Sequence, residues 1–166
     1  MTGNNIAFFG LTSIGKSTII NKLLAQEVAA TGYGETTTVI TSYPGTNFVL
    51  WDIPGRNDTL SYFNMTYIGL LKGLSRRVIL IDHTIKIMSG LCQLLDDLKL
   101  DYSIVVNKFD QVPNGQREKF KSAIRTETKT LNLRYFLNDH LYFISAENPQ
   151  QFRQDWLAMV NYLLSS

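Results

Sequence analysis

The chain carries one cysteine, Cys92. No internal disulfide is possible, and the composition suits a reducing compartment, with Cys92 expected to pack inside a helix. Long apolar runs are also missing: none approaches the roughly 18 residues that a membrane-spanning helix needs. The first residues, Met1-Thr2-Gly3-Asn4, have neither the charged-then-apolar layout of a signal peptide nor a glycine at position 2 for myristoylation. The closing Leu163-Leu164-Ser165-Ser166 has no cysteine for prenylation. These absences predict a cytoplasmic protein with no intrinsic membrane anchor, associated with membranes only through a partner. An excess of one charge is missing too. Sixteen basic residues stand against 14 acidic ones, for a net charge of +2 without a polybasic stretch, so no nucleic acid is expected as a partner. Repeats, low-complexity tracts and linkers do not occur. What is there is 166 residues, 45% hydrophobic and 18% charged, which predicts one domain over residues 1–166 with a full core.

The stretch around which the rest is organised is Gly10-Leu11-Thr12-Ser13-Ile14-Gly15-Lys16-Ser17, which fits the phosphate-binding pattern G-x-x-x-x-G-K-[ST]. The apolar run Ile6-Ala7-Phe8-Phe9 before it reads as a buried strand. Ile19, Ile20, Leu23 and Leu24 after it fall on one helical face. The chemistry needs each part. Gly10 and Gly15 allow tight turns that aim backbone N–H groups at phosphate oxygens. The helix start adds its positive dipole end, Lys16 a point charge, and Ser17 a hydroxyl for Mg²⁺. Thr12, Ser13, Ile14 and Thr18 complete the residues expected to line the nucleotide's phosphates. The loop alone implies a nucleoside triphosphate and leaves the base open.

Further along, Val39–Tyr43 and Asn47–Ile53 form two β-rich runs joined by Pro44-Gly45-Thr46, an expected antiparallel hairpin. Leucines and aromatics from Leu60 to Leu74 recur at helical spacing, and Val78-Ile79-Leu80-Ile81 reads as a strand covered on both faces. A helix over Ile87–Leu98 and a strand over Ser103–Val106 follow. Gln116–Leu131 reads as a surface helix with Phe120, Ala123, Ile124 and Leu131 inward. The last strand is expected at Leu141–Ile144, then Asn148-Pro149 as a capped start to a closing helix. The fold class is α/β: a three-layer fold with a six-stranded, mostly parallel sheet, one antiparallel edge strand and five helices. In such folds ligands sit beyond the carboxyl ends of the strands. The loops at Gly10, Asp52, Asn107 and Ser145 are therefore expected to share one rim.

Three further motifs fall on that rim. Asp52-Ile53-Pro54-Gly55 has the spacing D-x-x-G, in which Asp52 can hold a water on Mg²⁺ and the Gly55 N–H can meet a γ-phosphate. Thr36, Thr37 and Thr38 offer a hydroxyl for the same metal. Asn107-Lys108-Phe109-Asp110 is the sharpest: Asp110 can accept both the N1–H and the N2 amine of guanine, a donor pair adenine lacks, and a carboxylate left unpaired in the site rejects other bases. Lys108 can lie across the base and Asn107 can tie this loop to the phosphate loop. In Ser145-Ala146-Glu147, the Ala146 N–H can reach guanine O6.

On these residues the chain resembles the Ras-like P-loop GTPase superfamily over essentially its whole length. The resemblance implies a GTP/GDP switch with slow intrinsic hydrolysis, raised by a partner or by self-association. It places Gly10 to Ser17 on the phosphates, Ser17, a switch threonine and Asp52 on Mg²⁺, and Asn107, Lys108, Asp110 and Ala146 on guanine. It also implies protein effectors or regulators at switch loops 33–42 and 54–67. Within the superfamily, Glu35-Thr36-Thr37, Tyr43-Pro44 and Leu50-Trp51-Asp52-Ile53-Pro54-Gly55 look like the immunity-related GTPases, relatives of dynamin. That likeness makes Thr37 the metal threonine, with Thr38 adjacent, and matches Ser13 to a serine that helps hold K⁺. It also implies a nucleotide-dependent homodimer. Thr37, Gly55 and Ser13 are then the catalytic candidates.

The departures bear on mechanism. The glutamine that follows the D-x-x-G glycine in Ras-type enzymes is Arg56 here, and the phosphate-loop glutamine of dynamin relatives is Thr12. They leave an alternative open: a GTP-loaded pseudo-GTPase acting as a binding module. A nucleoside kinase would share the phosphate loop but has no use for Asn107-Lys108-Phe109-Asp110.

Overall fold

Strand β1 (Asn4–Gly10) has no polar residue after Asn5, and every residue of it from Asn5 onward is buried. Such a strand needs cover on both faces, and it lies in the middle of the sheet. It runs parallel to β3 (Phe48–Pro54) on one side and to β4 (Arg76–Ile81) on the other, with Phe8 paired to Asp52 and to Val78. In this computed structural model, which describes residues 3–11, 13–25, 40–54 and 65–165, the strand order is β2-β3-β1-β4-β5-β6. Strand β2 (Thr41–Pro44) is the antiparallel edge and β5 (Tyr102–Val106) and β6 (Phe136–Phe143) complete the parallel side. The hairpin closes where Gly45 N–H donates to Phe48 O at 2.8 Å, so Pro44 ends β2 opposite Val49 rather than belonging to the turn.

Period-two alternation sorts the core into two layers. Ile6, Phe8, Leu50, Val78 and Leu80 face α1 (Lys16–Leu24) and α5 (Arg153–Leu164), meeting Ile19, Ile20, Met159 and Leu163. Ala7, Phe9, Ile53, Ile79 and Ile81 face the other side. There Leu71 of α2 (Met65–Gly73), Leu91 and Leu95 of α3 (Ser89–Asp97) and Ile124 of α4 (Arg117–Thr130) close over them. The six-stranded sheet with five α-helices among the described residues matches the architecture expected.

Three expectations need correction. Ala123 is exposed: the inward stripe of α4 is Phe120, Ile124 and Thr128, four apart, and Ala123 lies one position off it. Strand β6 starts five residues earlier than expected, at Phe136, because the sheet shifts register between Tyr102 and Ile104 and admits a polar first half. Pro149 opens a short 3₁₀ turn, Pro149–Phe152, and Asn148 makes no side-chain cap there; α5 begins after it. Cys92 packs in the core as expected, and burial pushes its thiol pKa up to about 12.

Candidate functional site

The carboxyl end of β1 turns at Gly10, where a Cβ would stand 2.9 Å from Ile14 Cγ2 and 3.0 Å from the Leu80 carbonyl. Close approach is the reason for glycine there. At Gly15 there are two reasons: its φ is +103°, and a Cβ would run into the Asn107 side-chain amide. Ser13 also takes a left-handed backbone, φ 65°, without being glycine. Ile14 turns inward and is buried beneath the loop. Helix α1 starts at Lys16 without a side-chain cap, which leaves its first N–H groups for an anion.

Lys16 is only 6% exposed. Its Nζ donates to Gly10 O at 2.7 Å and Ile53 O at 3.2 Å, and lies 3.4 Å from Asp52 Oδ1. Burial lowers its pKa, and the Asp52 carboxylate works against that shift. One cation thus bridges the phosphate loop and the end of β3. Ser17 and Thr18 stand half-buried in the first turn of α1.

On the other side Asn107 is the junction. Its Nδ2 donates to Ile14 O at 2.9 Å, and its Oδ1 accepts the Ala146 N–H at 2.8 Å. Lys108, at φ 60°, donates from Nζ to Ser13 O at 2.6 Å. Phe109 N–H donates to Ile144 O at 3.0 Å, and Asn148 N–H to Ser145 Oγ at 3.2 Å. These bonds gather the loops after β1, β5 and β6. They surround an open recess of about 320 Å³ lined by Gly15, Thr18, Asn107, Lys108, Asp110, Gln111, Ser145, Ala146 and Glu147.

Two details differ from expectation. The Ala146 N–H is given to Asn107, so it meets a base only if that bond is shared or released. The Asp110 carboxylate is exposed, and it is desolvated only once a ligand covers it. Gln111 lines the recess and was not expected; its place one residue after Asp110 in the turn Phe109–Gln111 is the signal that points to it. Thr12, Thr37 with its neighbours Thr36 and Thr38, Gly55 and Arg56 lie outside the described residues, as does most of switch loops 33–42 and 54–67. Trp51 packs, donating Nε1–H to Asn5 Oδ1 at 3.0 Å, and His83 pairs with Asp82 at the surface.

A family model described as "50S ribosome-binding GTPase" matches residues 5–108. The chain belongs to this family. It is a GTP-binding protein and a GTP hydrolase, as the family's members are. A probable GTP-binding protein EngB from Clostridium botulinum is 31% identical over 162 residues, covering 89% of this chain and 79% of that protein. Another, from Mycoplasmoides gallisepticum, is 28% identical over 171 residues, covering 95% and 88%. Among solved structures, a probable GTP-binding protein EngB superposes with a TM-score of 0.55 at 19% identity, covering 95% of this chain and 99% of that one. Era from Aquifex aeolicus, solved with GDP and aluminium fluoride, superposes with a TM-score of 0.66 at 19% identity, over all of this chain and 58% of that one. Those structural likenesses bear on the fold. EngB-type relatives fit this GTPase better than the immunity-related and dynamin-like proteins suggested by Glu35-Thr36-Thr37 and the residues around Trp51. No helix among the described residues is long and apolar enough to cross a membrane.

Proposed function

We propose that this GTPase is a GTP/GDP switch, that the recess between Asn107–Gln111 and Ser145–Glu147 takes guanine, and that hydrolysis is slow in isolation. The observation that carries the reading is Asn107, whose amide joins the phosphate loop at Ile14 to the Ser145–Glu147 loop at Ala146. Base and phosphate subsites are thereby built as one object. Asp110 reads the guanine N1 and N2 donors and Lys108 lies along the base. Lys16, released from Gly10 O, turns to the β- and γ-phosphates. Ser17 and Asp52 are oxygen donors, the kind that would hold a hard cation such as Mg²⁺. When bound, the ion offsets charge on the phosphates. Thr37 serves the metal, Gly55 the γ-phosphate and Ser13 a K⁺ beside the β–γ bridge. The single domain over 1–166 and the nucleotide-dependent homodimer stand as further parts of this reading.

Slow hydrolysis follows from the residue type that the sequence carries after Gly55. Phosphoryl transfer needs a positioned water and charge compensation, and Arg56, where a water-orienting glutamine is usual, supplies only charge. The family description makes the 50S ribosomal subunit the first partner to try as activator. Phosphate release from GTP is measured at rising protein concentration, with and without 50S subunits. We expect about 10⁻⁴ s⁻¹ for the dilute protein and a rise with subunits or self-association. A rate above about 0.1 s⁻¹ on dilution into potassium-free buffer contradicts the proposal. No release under any condition favours the pseudo-GTPase reading.

A further inference from the structure

Beneath the two loops that line the base recess lies a floor of four phenylalanine rings. Phe109, between Lys108 and Asp110, turns inward and is buried. Its ring centre lies 4.8 Å from that of Phe152, 5.2 Å from Phe143 and 5.9 Å from Phe120. Phe152 ends the 3₁₀ turn that follows Ser145–Glu147, so a single cluster underlies both loops. Arg117, the first residue of α4, covers it. Its guanidinium carbon is 5.0 Å from the Phe152 ring centre and 5.6 Å from that of Phe109. Its Nε donates to Val112 O at 3.0 Å, and its Nη1 reaches Asn114 Oδ1 at 3.4 Å.

Covering the rings does not require arginine, since a methionine or leucine would exclude water as well. Arginine adds a planar donor that fixes the carbonyl of Val112 while lying against one ring from each loop. Val112 is the residue at which the turn Phe109–Gln111 ends. Asp110 sits within that turn, and its exposed carboxylate makes no hydrogen bond or ion pair among the described residues. Its position is therefore set by the backbone, which Asn107 holds at one end and the Val112 carbonyl at the other. Lys121 also lies over Phe109 and Phe143, at 5.5 and 5.4 Å, but its cation meets Glu118 at 4.0 Å rather than the turn.

The geometry points to Arg117 as a positioning residue for guanine selection: it holds the turn that carries Asp110 against the Ser145–Glu147 loop, so that the carboxylate meets both guanine donors at once. This rests on the reading of Asp110 given under the proposed function. A purely structural Arg117 would weaken every nucleotide alike. A positioning Arg117 selectively supports the bond to the 2-amino group, which inosine diphosphate lacks. One hydrogen bond to a carbonyl plus two cation–ring contacts set the scale of the effect at about ten-fold.

The test uses the whole chain, with dissociation constants for GDP and inosine diphosphate obtained by displacing a fluorescent GDP analogue, alongside thermal melts. The parent protein should prefer GDP, and Asp110→Asn should abolish that preference. Arg117→Met should narrow the GDP-to-inosine ratio about ten-fold, and Arg117→Lys, which keeps a cation over the rings, should restore part of it. Should Arg117→Met not fold, Arg117→Lys and Phe152→Leu must each narrow the ratio. Equal weakening of both nucleotides, or an unchanged ratio in folded Arg117 variants, overturns the inference. A parent with no preference for GDP, or one whose preference survives Asp110→Asn, overturns the reading of Asp110 instead.

Discussion

On the proposed reading base choice turns on Asp110, which is also one of the most exposed residues of the recess. A carboxylate accepts only, so it fits the two donors on the guanine edge and repels the 2-oxo group of xanthine. Replacing Asp110 with Asn supplies a donor. Asp110→Asn should lower GTP affinity about 100-fold or more and raise affinity for xanthosine triphosphate, as read by displacement titration with both nucleotides; retention of full guanine preference counts against the assignment. Asn107-Lys108-Phe109-Asp110 was legible because three of its four residues, Asn107, Lys108 and Asp110, carry separable chemistry. The bond from Ala146 N–H to Asn107 was not, since a backbone donor leaves no trace in residue identity. Gln111 was missed for a related reason: a polar residue after Asp110 in a turn looks like any other solvated loop residue.

Among the elements, α2 ends in a clamp that hydrophobic pattern could not reveal. Arg77, buried at the start of β4, donates Nε to Leu71 O at 2.9 Å, Nη2 to Leu74 O at 3.0 Å and Nη1 to Asp101 O at 3.0 Å. It thus satisfies carbonyls at the end of one helix and before another strand. Burial lowers its pKa while Asp101 opposes that shift. Arg77→Met keeps the bulk but strands those carbonyls, and should cost about 2–4 kcal/mol of stability, seen as a lower urea midpoint; a loss under about 0.5 kcal/mol would show that the carbonyls find other donors. Strands β1 and β5 and the Val78–Ile81 part of β4 were legible because a two-faced buried strand is a continuous apolar run, and β3 because its β-rich residues follow a turn at Gly45. The start of β6 was hidden because Asn138, Asp139 and His140 are polar where the sheet shifts register. Ala123 misled because a methyl group lies equally well on either side of a helical stripe.

For the molecule as a whole, the buried ionisable groups set an alkaline limit. Burial pushes Cys92 and Tyr142 up to about 12, and Tyr102 is raised further by desolvation and by Cys92 and Asp96. In the unfolded chain these groups lose protons near pH 9 to 10. Above that range these groups therefore keep more protons in the folded state than in the unfolded one, and their contribution to stability falls as pH rises, while Lys16, lowered by burial, works the other way. For Cys92 alone the slope is about 1.4 kcal/mol per pH unit between pH 9 and 12. Urea midpoints should be flat from pH 7 to 8.5 and drop steeply beyond, less steeply in Cys92→Ala; equal slopes for the two proteins would refute the contribution of this thiol.

The same global view explains why the site exists at one rim. With β1 central between β3 on one side and β4 on the other, the loops after β1, β5 and β6 meet at the carboxyl edge, where Lys16 also reaches the end of β3. Alternation in the sequence was enough to anticipate this, because strand order in a doubly wound sheet follows from short right-handed crossovers. On the proposed reading this rim takes guanine nucleotides specifically. The direct measurement is displacement of a fluorescent GDP analogue from the whole chain by unlabelled GTP and ATP in magnesium buffer. GTP should displace it at concentrations at least about 100-fold below those needed for ATP, whereas equal displacement by the two nucleotides would contradict the claim.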